Sequence, residues 1–223
     1  MSNFFQKAAI FIKRKYQFVF RKKNIALMKG VNFIIVSNSC WGGAIYQWLK
    51  RPYNTPFVGL GIDPNDYLKL LSKFDYYMGF PLKFQTPVEG TTNENNYPIG
   101  FINDIRIHFS HYKTEEEAQE KWTKRTKRML EVTNKDQYFF MISDSREATK
   151  NHFKEFHELP YRNKISFTIY DYSDLLLENH FKVNERDKKI KNHIPNAVKL
   201  FKLTFLYLDL FQWIKNNSSN KSA

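Results

Sequence analysis

Residues 31–49, VNFIIVSNSCWGGAIYQWL, decide the fold. The stretch begins with an apolar, β-branched run of strand length that ends at Ser37. A near-continuous apolar strand is typical of a parallel sheet whose two faces are both covered. After a short polar turn, Cys40 begins a helical pattern in which Ile45 and Leu49 share one face. We therefore predict that Cys40 lies at a helix N-terminus beyond the carboxyl end of a central strand, where open α/β sheets bind ligands.

Cys40 is the first candidate for a reactive residue. The backbone amides and the helix dipole at this junction favour a thiolate or a bound anion. Gly42 and Gly43 allow a ligand to approach the backbone closely, because they carry no Cβ. The alternative is that Cys40 is a small buried residue and that the glycines only relieve helix–strand packing.

The composition is that of a folded globular protein without disulfides. Its 223 residues suffice for one sizeable core, and the single cysteine excludes an internal disulfide framework, as is typical of a reducing cytoplasm. No CxxC pair or HExxH motif is present, so the sequence predicts no metal site. Nor does a P-loop, GxGxxG or DxD motif predict a bound nucleotide cofactor.

The net charge of +13 is concentrated at the two ends of the chain. Ten Lys and Arg residues precede Asp63, which is the first carboxylate, and residues 188–223 carry seven Lys and one Asp. The segment between them carries a net charge of −3. This distribution predicts termini that face an anionic partner and a middle segment that folds as an ordinary domain.

Both ends of the chain also have apolar residues beside the basic ones. Residues 3–29 fit a helix on an anionic membrane surface, a helix packed on the domain or a solvated tail, and their longest apolar run is too short to cross a bilayer. Residues 196–215 either cap the core or lie in a membrane interface. We expect four segments: a basic amphipathic N-terminal extension (1–30), an α/β core domain (31–180), a C-terminal helical segment (181–215) and a disordered tail (216–223).

Residues 80–112 have the pattern of two strands around a polar turn at 89–96. The second strand, GFINDIRIHFSHY, alternates, so Asp104, Arg106 and His108 are predicted on one face. A carboxylate, a guanidinium and an imidazole on one face can orient and titrate one another. The alternative is the ordinary solvent-facing side of a half-buried strand.

Three other patterns complete the predicted elements. Asp63 is the expected N-cap of a helix that continues to about Met78 and only packs. Residues 137–142 form a second buried strand, which places Asp144 at its carboxyl end or as the N-cap of the next helix. A further strand at 164–169 completes a βαβ unit. The predicted fold class is α/β, a single domain with a mixed, partly parallel sheet flanked by helices, plus basic amphipathic terminal helices.

Four ordered blocks resemble a known bacterial family: SNSCWGGAIY, PYNTPFVGL, DIRIHFSHYKTEEEAQEKW and LPYRNKISFT. The family is annotated in exopolysaccharide or capsule biosynthesis and catalogued as domain-of-unknown-function family 1919. The resemblance implies an α/β fold and a role in making or decorating surface polysaccharide, without an established reaction. The family pattern commonly has an Arg directly after the Asp of the second strand end, whereas here Ser145 follows Asp144 and Arg146 comes next. The matching positions are Ser37, Asn38, Cys40, Trp41, Gly42, Gly43, Tyr46, Asn54, Pro56, Asp104, His108, His111, Trp122 and Asp144.

The leading functional hypothesis is a transferase. Cys40, activated by His108 or His111, attacks an acyl donor and passes the acyl group to a sugar hydroxyl of a lipid-linked or nucleotide-linked glycan precursor. Asp104 or Asp144 orients the histidine, and the amides of the two glycines after Cys40 hold the oxyanion. In a variant of this hypothesis, Asp104 or Asp144 is the general base of glycosyl or phosphoryl-sugar transfer and Cys40 only packs.

The competing hypothesis is a non-catalytic module that binds a sugar or a partner at the inner face of the cell membrane, with its basic ends on lipid. Nucleic-acid binding is not expected, because no recognition helix, RNP-like strand or zinc finger accompanies the basic charge. Under either main hypothesis the protein is cytoplasmic. The residues expected to bind the substrate are Ser37, Asn38, Trp41, Gly42, Gly43, Tyr46, Asn54 and Arg106.

Overall fold

Two β-sheets organise the molecule. The computed structural model describes residues 17–84, 96–190 and 192–218. In chain order the strands are β1 (Ile34–Ser37), β2 (Leu82–Phe84), β3 (Ile99–Ile102), β4 (Ile105–His108), β5 (Tyr138–Ser143), β6 (Lys164–Thr168) and β7 (His180–Lys182). A parallel sheet has the order β1-β5-β6-β7, and an antiparallel sheet has the order β2-β3-β4. The predicted α/β class is confirmed, with parallel and antiparallel strands divided between the two sheets.

Helices cover both faces of the parallel sheet. They are α1 (Gln17–Leu27), α2 (Trp41–Leu49), α3 (Pro64–Ser72), α4 (Phe74–Met78), α5 (Glu115–Leu130), α6 (Lys150–Glu158), α7 (Ala197–Thr204) and α8 (Leu210–Ser218). The strand β5, the helix α6 and the parallel strand β6 form the predicted βαβ unit. None of the helices within the described ranges is both long and apolar enough to span a bilayer.

Alternate residues of the parallel strands divide the core in two. Ile34 and Val36 of β1 face α3, α4, α6 and the antiparallel sheet. Phe33 and Ile35 point to the opposite side, where α2, α7 and α8 pack. Because side chains alternate along a strand, a sheet covered on both faces requires an apolar residue at almost every position. This explains why the sequence of β1 is continuously apolar.

Two predicted elements are interrupted in the structure. The strand predicted over GFINDIRIHFSHY folds back at Asn103 and Asp104, since Ile102 of β3 pairs with Ile105 of β4. Asn103 has a positive φ of 54°, which asparagine tolerates better than most residues. The helix predicted to reach Met78 breaks at Lys73 into α3 and α4.

The two ends of the described chain pack on the domain. Phe201 of α7 and Phe211 of α8 are buried in the second core, so this segment caps the core as two helices rather than one. The guanidinium of Arg21 in α1 donates to the Trp48 carbonyl at 2.7 Å, at the end of α2. The predictions for residues 1–16, for the polar turn up to residue 95 and for the tail after residue 218 lie outside the described residues.

Candidate functional site

The turns that follow β1 and β5 are held next to each other by Asn38. Its Nδ2 donates to the Ser143 carbonyl at 3.0 Å, and the Ser143 amide donates to Asn38 Oδ1 at 3.1 Å. These two hydrogen bonds tie the carboxyl ends of neighbouring parallel strands together. Cys40 follows one strand and Arg146 follows the other, so the pairing brings both side chains to the same edge of the sheet.

Residues 59–62 connect this edge to the antiparallel sheet. The amide of Gly61 donates to the His108 carbonyl at 2.8 Å, and the His108 amide donates to the Gly61 carbonyl at 2.9 Å. The Ile62 amide donates to the Asn38 carbonyl at 3.1 Å. These hydrogen bonds therefore place His108, at the end of β4, next to the carboxyl edge of the parallel sheet.

Arg146 lies across Gly61 at the centre of this arrangement. A Cβ at Gly61 would stand 2.6 Å from Arg146 Nε, so only glycine leaves room for the guanidinium there. Arg146 Nη1 donates to Asp63 Oδ1 at 3.0 Å. The other oxygen of the same carboxylate, Oδ2, is 3.5 Å from His108 Nε2. One carboxylate thus contacts both a guanidinium and an imidazole.

The surroundings of His108 keep its ring neutral. Burial lowers the pKa of His108, the charge of Arg146 lowers it further, and Asp63 acts in the opposite direction. The hydroxyl of Tyr97 lies 3.4 Å from Nδ1. At 3.5 Å from Asp63, Nε2 is too far for an ordinary hydrogen bond, and within the described ranges this buried nitrogen has no hydrogen-bond partner. A neutral imidazole with a free nitrogen can accept a proton.

Cys40 belongs to the same cluster but has different partners. Its thiol lies 3.5 Å from the Leu60 carbonyl, and the Ser110 side chain is close enough to act on its pKa. Burial raises the pKa of Cys40 and outweighs the opposing effects of Ser110, the Gly59 backbone and Arg146. The loss of hydration therefore opposes the thiolate predicted at this helix N-terminus, and its stabilisation stays a prediction.

Sequence comparisons agree with the resemblance of the four blocks. A family model described as a domain of unknown function, DUF1919, matches residues 11–215. The chain belongs to the DUF1919 family. A relative from Haemophilus influenzae, described as an uncharacterized protein, is 32% identical over 188 residues, which are 84% of this chain and 86% of the relative. Family membership is confirmed, whereas the role in polysaccharide biosynthesis stays a prediction.

Asp104 lies apart from the cluster of this DUF1919 protein, whereas the charge of Arg106 helps to lower the pKa of His108. Asp104 sits in the turn between β3 and β4, where it forms an exposed ion pair with Lys69. The Lys69 ammonium holds the pKa of Asp104 below its usual range. The Arg106 guanidinium lies over the Phe101 ring, 5.8 Å from its centroid, and is exposed. The alternation expected for this strand places Arg106 and His108 on one face but leaves Asp104 in the turn.

Asp144 and His111 have separate positions. Asp144 is buried, and its Oδ2 accepts hydrogen bonds of 2.8 Å from the Thr168 hydroxyl and from the Ile169 amide. Burial raises the pKa of Asp144, and these hydrogen bonds act in the opposite direction. His111 is exposed next to Gly59. Neither residue takes part in the contact between the Asp63 carboxylate and His108.

Most of the residues expected to bind substrate hold the fold together. Trp41 Nε1 donates to the Thr204 hydroxyl at 3.1 Å, which ties α2 to α7. A Cβ at Gly42 would lie 2.7 Å from the Ile35 side chain, and one at Gly43 would lie 3.0 Å from Val58, so both glycines are needed for close packing. The remaining three bind the backbone: Ser37 donates to the Ser39 carbonyl, Tyr46 accepts from the Ile35 amide, and Asn54 donates to the Phe33 carbonyl.

The sequence did not identify Asp63, Arg146, Tyr97 and Ser110 as functional residues. Asp63 has the pattern of a helix N-cap, yet its carboxylate makes no capping hydrogen bond in α3 and faces Arg146 and His108 instead. The only available signal for Arg146 was the arginine expected one position earlier in the family pattern. Across the part of the chain that is described, no group of three His, Cys, Asp or Glu residues is placed to hold a metal ion.

Proposed function

We propose that this protein is a transferase of surface-polysaccharide biosynthesis in which His108 activates a sugar hydroxyl. The observation that carries the proposal is the shared carboxylate of Asp63, 3.0 Å from Arg146 and 3.5 Å from His108. A carboxylate beside a neutral, partnerless imidazole nitrogen is suited to general base catalysis. The polysaccharide context rests on the resemblance of the four sequence blocks.

In the proposed reaction, the hydroxyl of the acceptor sugar donates to His108 Nε2. The proton moves to Nε2 while the oxygen forms a bond to the electrophilic centre of the donor. The bond to the leaving group breaks with its electron pair, and Arg146 stabilises the negative charge that develops on the donor. Asp63 stabilises the imidazolium, which then returns the proton to the leaving group.

A second mechanism, acyl transfer through Cys40, has one supporting observation. Arg146 and the hydroxyl of Ser110 both act to lower the pKa of the Cys40 thiol, although burial prevails. In this mechanism a base removes the thiol proton, the sulfur forms a thioester as the donor's leaving group departs, and a sugar hydroxyl displaces the sulfur. His108 is the base available at this edge of the sheet.

A location at the inner face of the membrane also belongs to this proposal. Val19 and Phe20 of α1 are 61% and 39% exposed, and they are followed by Lys22 and Lys23. Exposed apolar side chains beside lysines favour contact with an anionic bilayer surface. The same contact would serve the non-catalytic alternative, in which the module only binds a glycan or lipid-linked sugar precursor.

The test uses a bacterial strain whose surface polymer requires this protein, complemented with His108→Gln or Cys40→Ser. We expect His108→Gln to reduce polymer about 100-fold or more, while Cys40→Ser retains it. Thermal unfolding of the purified variants checks that each is folded. Loss of polymer with Cys40→Ser, whether or not His108→Gln also loses it, would favour the thioester mechanism, and polymer unchanged in both would favour the binding module.

A further inference from the structure

A cavity lined by both polar and apolar side chains lies at the carboxyl edge of the parallel sheet. It encloses about 190 Å³ between the turns after β1 and β5 and the loop that precedes α7. The serine hydroxyls of Ser39, Ser143 and Ser145 line the sheet side. His193 and Asp187 line the opposite wall. None of these five residues is part of the Asp63–His108–Arg146 cluster.

Two buried polar atoms, one in the lining of this cavity and one on a residue next to the lining in the chain, have no hydrogen-bond partner within the described ranges. Ser39 Oγ is buried and makes no hydrogen bond. Asp144 is only 6% exposed, and its Oδ1 is likewise without a partner although Oδ2 has two. Asp144 lies between Ser143 and Ser145 in the chain, and His193 from the opposite wall is near enough for its charge to act on the carboxyl. Unpartnered buried oxygens cost stability, which a bound hydroxyl would restore.

The chemistry of the lining selects the class of ligand. Hydroxyls both donate and accept, carboxylate oxygens accept, and an imidazole does either, so the polar side matches a molecule with several hydroxyl groups. The rest of the lining is apolar and can contact the carbon atoms of a ring: Ile190, Ile194, Pro195, Ala197 and Leu200. Of the described residues that line the cavity, none is Lys or Arg. The nearby carboxylates of Asp144 and Asp187 would repel an anion such as phosphate. A neutral polyol therefore fits better than an anion.

The size and position of the cavity limit the ligand further. Pockets for drug-sized ligands enclose about 300–1,000 Å³, so this cavity accommodates only a small group. Ser39 directly precedes Cys40, and Ser145 directly precedes Arg146, so the cavity adjoins the proposed reacting centre. We infer that the cavity binds one neutral sugar ring of the substrate, with Ser39 and Ser145 as hydrogen-bond partners. This inference rests on the proposed function and specifies its substrate class.

Binding can be measured without a reaction. Saturation-transfer NMR on the full chain would use the methyl glycosides of glucose, galactose, mannose, rhamnose and N-acetylglucosamine, with inorganic phosphate as a competitor. Ser39→Ala removes an oxygen that has no protein partner, so folding should be unaffected. Ser145→Leu fills the cavity, and Ser72→Ala at the exposed end of α3 is the matched control.

We expect at least one glycoside to bind, phosphate not to compete, and Ser145→Leu to weaken binding at least about tenfold, with a smaller loss for Ser39→Ala. Absence of binding by all five glycosides, competition by phosphate, or equal binding by Ser145→Leu would each overturn the inference. His108→Gln separates this result from the proposed function. If the glycoside binds but His108→Gln still makes polymer, the catalytic proposal fails alone; if His108→Gln abolishes polymer while no glycoside binds, the cavity inference fails alone.

Discussion

His108 and His157 are both held neutral by burial, but their surroundings differ. His108 faces the carboxylate of Asp63 at the edge of the sheet. His157 lies in an enclosed chain, in which its Nε2 is 2.7 Å from Ser166 Oγ, and Ser166 Oγ is 2.7 Å from His180 Nδ1. Burial lowers the pKa of His157 to about 4 and also lowers that of His180. Electrostatic interactions with His180 and Lys164 lower the pKa of His157 further.

The difference between the two histidines shows which features indicate a catalytic site. A serine between two histidines resembles a catalytic arrangement, but Ser166 is fully buried and its hydroxyl is already hydrogen-bonded to both rings. His108 is also buried, yet it has a carboxylate and a guanidinium beside it, and the Asp63 side chain is 44% exposed. A lowered pKa reports the loss of hydration, whereas a candidate catalytic site also requires a charged partner and an open side.

The largest expected effect is on stability at acidic pH and involves His157. Its pKa is about 4 in the folded protein and about 6.5 in the unfolded chain, so between these values only the unfolded chain binds the proton. The free energy of unfolding therefore falls as the pH drops from about 6.5 to about 4, and His157 has no such effect above that window. Because the side chain is partly exposed, we expect the free energy of unfolding to fall by only about 2 kcal/mol across this range. Urea unfolding at a series of pH values would measure it.

His157→Gln keeps a hydrogen-bonding side chain next to Ser166 but removes the titration. Urea unfolding of this variant should depend less on pH than unfolding of the native protein. His111→Gln, at an exposed histidine, is the control and should leave the pH dependence unchanged. An equally steep fall in the free energy of unfolding of His157→Gln would mean that other groups cause the acid sensitivity. The comparison of His108 with His157 would then have no support from stability.

The fold could be predicted because its signals are local. The apolar run before Ser37 shows that β1 is covered on both faces, and the strand–helix–strand order over residues 137–169 indicates parallel pairing. Each pattern lies within one element or a few consecutive elements, where the spacing of apolar residues directly reflects which side chains are buried. The interruptions at Asn103 and Lys73 were missed because the same periodicity continues on both sides of the break.

The candidate site could be predicted only in part, because long-range contacts create it. Cys40 and His108 were found from strand-end position and alternation. Asp63 has the same local pattern as an ordinary N-cap, and only Arg146, 83 positions away, shows that its carboxylate is used elsewhere. Asp104 seemed the better partner for His108 because it is four residues away, but the turn directs it to Lys69.

The second prediction concerns the contact between Arg146 and Gly61. Gly61→Ala leaves the backbone unstrained, since Gly61 has no positive φ, but the new methyl group displaces the guanidinium. We expect polymer production to fall about tenfold while the free energy of unfolding changes by less than about 1 kcal/mol. Gly79→Ala is the matched control, because Gly79 has a φ of −79° and lies away from the cluster. Normal polymer with Gly61→Ala would remove Arg146 from the proposed mechanism.

The smallest expected effect concerns the reactivity of Cys40, and it separates the two proposed mechanisms. Because burial raises the pKa of its thiol, alkylation by iodoacetamide should be slow at neutral pH and should accelerate only above about pH 8.5. Denaturation should abolish this protection. Arg146→Met should slow the reaction slightly further, since the guanidinium acts to lower the thiol pKa. A folded protein that reacts with a midpoint well below pH 8.5 would instead show that the cluster stabilises a thiolate, and Cys40 rather than His108 would become the leading catalytic residue.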